Sequence, residues 1–298
     1  MTELDLGKLP TEARNPASER IDEVPTLEML EVMHAADGEA VAAVGHELPR
    51  IAAAVNAIAS RMEAGGRLFY LGSGTSGRLG VLDASEVPPT YDTPPDLVQG
   101  VIAGGEAALR RSAERAEDNF SLGARDLAKH DFGAGDVLVG IAASGRTPYV
   151  LGGMEYARKL GALTVALTCV PDSPLEGAAD MAIVPATGPE VLTGSTRMKA
   201  GTATKLVLNM LSTGAMVRLG YVYGNLMVNV QPTNTKLEDR AARIITAITG
   251  LSYKEAARLL AKAEAVKTAV VMQKMGVSRP DAEARLAAAH GRLKEALR

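Results

Sequence analysis

The sequence predicts an α/β fold: a parallel sheet flanked by helices on both faces, with an N-terminal helical arm and a small C-terminal helical bundle. Three observations predict it. Between residues 67 and 219, short and almost continuously apolar runs alternate with longer helical patterns, as strands buried on both faces do. A polar segment punctuated by Pro10, Pro16 and Pro25 precedes them. After 231–233 the strand signal stops and an Ala-, Lys-, Arg- and Glu-rich region begins.

Taken in order, residues 1 to 25 read as an extended arm. Over 26–62 the apolar residues Leu27, Leu30, Met33, Val41, Val44, Ile51, Val55 and Ile58 recur at helical spacing, and Gly65-Gly66 closes that stretch as a helix C-cap does. Strands are predicted at 67–71, 97–103, 136–142, 163–167 and 181–185, with helices at 107–128, 149–160 and 200–219. Four helical runs follow at 239–249, 253–261, 265–275 and 280–297, punctuated by Gly250 and Gly276. The predicted division is 1–55 for the arm and its helices, 56–232 for the sheet domain and 235–298 for the helical domain.

Composition narrows the function classes. A chain of 298 residues, 47% apolar and 22% charged, buries a full core and reads as a soluble protein. Its net charge of −3 gives no electrostatic reason to bind nucleic acid or an anionic membrane. No Trp and few aromatics leave base-stacking modules without platforms. The single cysteine, Cys169, rules out an intrachain disulfide and fits a reducing compartment. The polar, acidic start is no secretory signal and no apolar run approaches a membrane span, so the expectation is cytoplasmic. His34, His46, His130 and His290 have no ligand spacing, and no metal or other cofactor is expected.

The chemistry centres on LGSGTSGRLG, residues 71–80. Gly72, Gly74 and Gly77 spell the dinucleotide fingerprint, but the acidic residue due at the end of the next strand is missing, and 86–97 is broken by four prolines. A triphosphate loop needs Lys after its last glycine, where Arg78 stands. Ser73, Thr75 and Ser76 between the glycines suit a phosphate monoester instead, whose several oxygens each need a donor. Two further hydroxyl clusters strengthen this. Ser144, Gly145 and Thr147 follow another strand, and Ser195 and Thr196 precede the long helix, with Lys199 beside its start. Three such segments at strand ends point to one converging site for a phosphorylated small molecule. Lys199 is a candidate to neutralise phosphate, or else a surface lysine; Arg78 and Arg146 are equally suited to salt bridges. Glu190 is a further candidate, for orienting a sugar or as a solvated loop charge. Met198, Met210 and Met216 read as core.

The loops GSGTS and ASGRT resemble those of the sugar isomerase (SIS) domain. Longer strings are similar to one family: TEARNPAS (11–18), GSGTSGRLGVLDASEVPPTY (72–91), ASGRTPYV (143–150), TGPEVLTGSTRMKAGTATKLVLNML (187–211) and NLMVNVQPTNTKLEDRA (225–241). Together they resemble the N-acetylmuramic acid 6-phosphate etherases. Asn229 and Val87 depart from the Asp and Cys expected there. The resemblance implies a lyase that removes the D-lactyl ether of the sugar phosphate, in cell-wall sugar recycling, as a homodimer with sites near its interface. It carries two active-site glutamates over to Glu86 and Glu117; the residues alone do not separate Glu117 from Glu114 or Asp118. Glu117 is expected to take the C2 proton. Glu86, placed in a proline-rich turn, is expected to protonate the departing lactate and then activate water. The rivals are a phosphosugar isomerase on the same fold and a non-catalytic phosphosugar-sensing regulator; the latter fits poorly with a proline-punctuated acidic start.

Overall fold

In the computed structural model, residues 9–111, 114–230 and 234–298 are described. The parts of the predicted arm, of the 107–128 helix and of the 231–233 boundary that fall at 1–8, 112–113 and 231–233 lie outside them. Short 3-10 turns form at Pro10–Glu12 and Pro16–Ser18, each opened by a proline whose fixed φ suits a first helical position. Then come α1 (Thr26–His46), α2 (Leu48–Glu63), β1 (Leu68–Gly72), α3 (Gly74–Tyr91) and β2 (Val98–Ile102). The middle of the chain gives α4 (Ala107–Arg110), α5 (Glu114–Glu117), α6 (Phe120–Lys129), β3 (Val137–Ile141), α7 (Pro148–Leu160) and β4 (Leu163–Leu167). The remainder gives α8 (Pro174–Gly177), β5 (Met181–Ile183), α9 (Lys199–Arg218), α10 (Thr235–Thr249), α11 (Tyr253–Ala263), α12 (Val266–Met275), α13 (Arg279–Ala288) and α14 (Leu293–Ala296).

The five strands form one parallel sheet in the order β2-β1-β3-β4-β5. Every residue of β1 and β3 is buried, on both pleat faces, as a sheet covered by helices on both sides requires. Phe69, Leu71 and Leu138 pack there with Leu127 of α6 and Tyr149 and Met154 of α7. At the other end of the strands, Asp136 ties β1 to β3. Its carboxylate accepts from the backbone N–H groups of Arg67 and Gly133 at 2.9 and 2.8 Å and pairs with the Arg67 guanidinium at 2.9 Å. That bond holds the guanidinium above its ordinary range.

By internal contacts the chain forms two compact units. One comprises the described residues up to Ser85 with Asp96–Ser212; the other is Glu86–Pro95 with Thr213–Arg298. The division falls within α3 and within α9. The second unit has its own core, with Ile245, Leu260, Val270, Leu286 and Leu293 among its buried residues.

Three local expectations are corrected. The predicted helix over 107–128 is three pieces, because Arg111 turns extended (φ −133°, ψ 148°) and Asn119 starts α6 afresh by capping the Leu122 N–H. The stretch carrying Glu86 is helix rather than turn: Pro88 and Pro89 sit inside the last turn of α3, where their φ is helical and only the N–H bonds of that turn are lost. The run over 280–297 divides into α13 and α14 where His290 and Gly291 both take positive φ, 51° and 74°.

Candidate active site

The sheet order 2-1-3-4-5 reverses direction between β1 and β3, and a crevice opens there at the strands' carboxyl ends. The opening glycines build its floor. A Cβ on Gly77 would lie 2.6 Å from Ile102 Cγ1 and 2.7 Å from the Gly72 carbonyl oxygen, so only glycine lets α3 sit this close to the sheet. Gly74, at φ 51°, makes the turn that starts α3 directly above β1. The first N–H groups of a helix have no acceptor within it and carry its positive end, so Gly74, Thr75 and Ser76 present donors to an anion.

A cavity of about 250 Å³ lies in front of these donors. Ser73, Gly74, Thr75 and Ser76 line it from the first loop, Ser144 and Thr147 from the loop after β3, and Thr196 from the segment before α9. The three hydroxyl clusters therefore converge. Gly145 shapes its loop from behind, at φ 68°, where a Cβ would fall 2.2 Å from Ser173 Oγ. Glu117, the last residue of α5, lines the same cavity, and the Ser73 hydroxyl donates to its Oε2 at 2.9 Å. Arg78 anchors the approach to it, donating from Nε to the Leu109 carbonyl at 3.2 Å and from Nη2 to that of Arg111 at 3.4 Å. A phosphate-sized donor cradle thus stands beside a carboxylate already fixed by a hydrogen bond.

Comparison with known proteins decides which family builds this site. The chain is 58% identical to an N-acetylmuramic acid 6-phosphate etherase of Symbiobacterium thermophilum, over 92% of this chain and 91% of that one. It is 54% identical to N-acetylmuramic acid 6-phosphate etherase 1 of Vibrio cholerae, over 99% and 98% of the two chains. The chain belongs to the N-acetylmuramic acid 6-phosphate etherase family. Two domain models also match, the glucokinase regulatory protein N-terminal SIS domain over residues 50–158 and the SIS domain over 123–214. A phosphoheptose isomerase structure from Francisella tularensis shares the fold at 20% identity and a TM-score of 0.51, covering 64% of this chain and 98% of that one.

Within this etherase, Lys199, Glu190 and Ser195 stand outside the cavity lining. Lys199 is buried; its ammonium donates to Glu39 at 2.6 Å and to the Pro189 carbonyl at 3.2 Å. Glu190 is fully buried and accepts from the backbone N–H groups of Lys199 and Ala200 at 2.8 and 3.0 Å, so it caps α9 and is no solvated charge. The contrast is informative: the N-terminus of α9 is filled by the chain's own carboxylate, whereas that of α3 is open. Ser195 turns its backbone N–H to Leu192 beside Thr196. Glu86 is exposed on α3, past the buried Asp83 that accepts from Tyr70 Oη at 2.8 Å and Asn209 Nδ2 at 2.6 Å. Burial and that carboxylate push the Tyr70 hydroxyl far up, so it stays a donor. Cys169 is buried, and burial pushes its thiol up to about 12, which makes it a poor nucleophile. Among the described residues no cluster could hold a metal ion, and no helix is long and apolar enough to cross a membrane.

Sequence reasoning missed Glu12 and Thr204 in the lining. Glu12 lies in TEARNPAS, a string that carried the resemblance without being given a role, so the signal was present. Thr204 lies one turn inside α9, and only the helix's placement reveals it.

Proposed function

We infer that the protein cleaves the D-lactyl ether of N-acetylmuramic acid 6-phosphate, giving N-acetylglucosamine 6-phosphate and D-lactate, in amino-sugar catabolism and cell-wall recycling. The observation that carries this is the Ser73–Glu117 hydrogen bond at the edge of the hydroxyl-lined cavity. The phosphate sits on the N–H groups and hydroxyls of 73–76, with Ser144, Thr147 and Thr196 closing around the sugar. In the open-chain form the C1 aldehyde acidifies C2–H. Glu117 removes that proton, and the electron pair expels the C3 lactyl oxygen as Glu86 protonates it. Glu86 then takes a proton from water, whose oxygen adds at C3 of the unsaturated aldehyde, and Glu117 returns a proton to C2. Anchoring the phosphate fixes C2 and C3 against these groups.

A homodimer with sites near its interface, as the family resemblance implies, is part of this reading. Exposed Leu27, Leu30 and Val41 on α1 give that dimer apolar surface to bury. The acidic balance, the single buried thiol and the phosphosugar substrate support a cytoplasmic enzyme without nucleic-acid or membrane partners.

In D₂O, E117Q loses solvent-deuterium incorporation at C2, whereas E86Q stops lactate release and retains exchange. The reverse pattern would exchange the two roles. Aldose–ketose interconversion without lactate would make the enzyme an isomerase.

A further inference from the structure

We propose that Glu12 is a sugar-contacting residue, carried into the cavity of its own chain by the N-terminal arm. The proposal deepens the etherase reading and rests on it for the identity of the sugar.

The arm is fastened where it matters. Thr11 offers its carbonyl to the Gly194 N–H at 3.2 Å. Asn15 Nδ2 donates to the Pro189 carbonyl at 3.4 Å, and Ser18 Oγ donates to that of Val191 at 2.7 Å. Thr11 and Ser18 are themselves buried. Three hydrogen bonds therefore join residues 11–18 to residues 189–194, the segment that leads into Thr196. The 3-10 turn at Pro10–Glu12 then sets the direction of the Glu12 side chain. Gly194, at φ 76°, leaves it room: a Cβ there would lie 2.9 Å from Glu12 Oε2. The carboxylate passes over Gly194 and joins Ser73, Ser144, Thr196 and Glu117 in lining the cavity.

No described residue forms a hydrogen bond or ion pair with that carboxylate, unlike Glu117, Glu190, Asp83 and Asp136, each of which is held by the protein. An unpaired carboxylate has acceptor oxygens only, so it selects ligand groups that donate. It repels the phosphate, and equally the lactyl carboxylate. What remains on this substrate are the sugar hydroxyls and the acetamido N–H. Glu12 thus accepts from one of these, and its charge orients the sugar with the phosphate turned to the start of α3. Charge-assisted hydrogen bonds of this kind are the strong ones.

The test uses the full chain with E12A, E12Q and, as a control on the same arm, R14A, whose exposed side chain pairs with Glu19. Binding of N-acetylglucosamine 6-phosphate and of inorganic phosphate is measured by calorimetry, alongside kcat and KM for lactate release and the melting temperature. E12A is expected to weaken binding of the sugar phosphate on the order of 10- to 100-fold, the cost of a lost hydrogen bond to a charged group. It should leave melting unchanged, leave inorganic phosphate binding undiminished because a repelling charge is removed, and raise KM in parallel. E12Q, which retains an acceptor oxygen, recovers part of the loss, and R14A matches wild type. Sugar-phosphate binding unchanged in E12A overturns the proposal. So does a loss that R14A shares, or one that appears only with a fall in melting temperature. If the wild type binds the sugar phosphate but releases no lactate, the etherase reading fails, and Glu12 is still judged by the binding data.

Discussion

One hydroxyl–carboxylate bond and one contrast between two carboxylates divide the residues around the first loop. Ser73 has a Glu117 carboxylate as its acceptor at 2.9 Å, so in the proposed mechanism this hydroxyl serves the base as well as the phosphate. Asp83 and Glu86 stand three apart in one sequence motif and have opposite environments: Asp83 is buried among donors and Glu86 is exposed. The motif therefore holds a buried anchor, Asp83, and an exposed carboxylate, Glu86, to which the proposed mechanism gives the acid role. Losing the Ser73 donor leaves Glu117 without the bond that fixes its orientation. S73A is expected to lower kcat/KM for lactate release by about tenfold to a hundredfold, with little change in melting temperature. Steady-state kinetics and thermal melts on the same preparation check it, and a change in stability alone would assign Ser73 to the scaffold.

At the scale of elements, the site is made by how closely α3 approaches the sheet. Gly72 and Gly77 touch across the turn: a Cβ on Gly72 would lie 2.7 Å from the Gly77 nitrogen. Asp83, one and a half turns further on, then pins α3 to β1 through Tyr70 and to α9 through Asn209 and Ser212. Helix and strand are thus locked from both sides, and the donors at the helix start face the cavity. In G77A the new methyl must displace Ile102 and the Gly72 carbonyl. Overpacking of this kind costs about 1–3 kcal/mol, to be read from the urea-unfolding midpoint. The same shift moves Ser73, Thr75 and Ser76, so phosphate-dependent binding should fall with it. Unchanged stability and binding would show that the close approach is not required.

At the scale of the whole molecule, stability carries a proton signature from the helical unit. Lys267 of α12 donates to the Gly291 carbonyl and is lowered from the ordinary 10.5 to about 8, chiefly by burial and partly offset by Asp92. The folded form thus holds this proton less tightly than the unfolded form. Between about 8 and 10.5 the unfolded chain binds more protons, so this group adds stability as pH rises through that window and subtracts most below it. K267M, which carries no such proton, provides the reference. The wild-type unfolding free energy, measured relative to K267M, should climb across the window. A flat or falling difference would contradict the sign.

Much of this protein was legible before any coordinates. Apolar runs such as 137–141 must be buried strands, because such runs have no polar face to offer water. Hydroxyls between glycines must meet an anion or a helix start, because short side chains and free N–H groups serve little else. The α/β class and the expectation of a phosphate site followed from that, whereas Glu117 came only from the family resemblance, since the residues alone do not separate it from Glu114 or Asp118. Local pattern could not say which donors were already taken. Lys199 read as a phosphate partner or a surface lysine, and Glu190 as a sugar-orienting residue or a solvated loop charge; packing turns one to Glu39 and the other onto the start of α9. Nor could it place Glu12, some sixty residues before the first loop in sequence, within the same cavity. Sequence periodicity encodes which groups are apolar and which can donate. Which of them meet is fixed only by long-range packing, when the arm closes on 189–194 and α3 closes on β1.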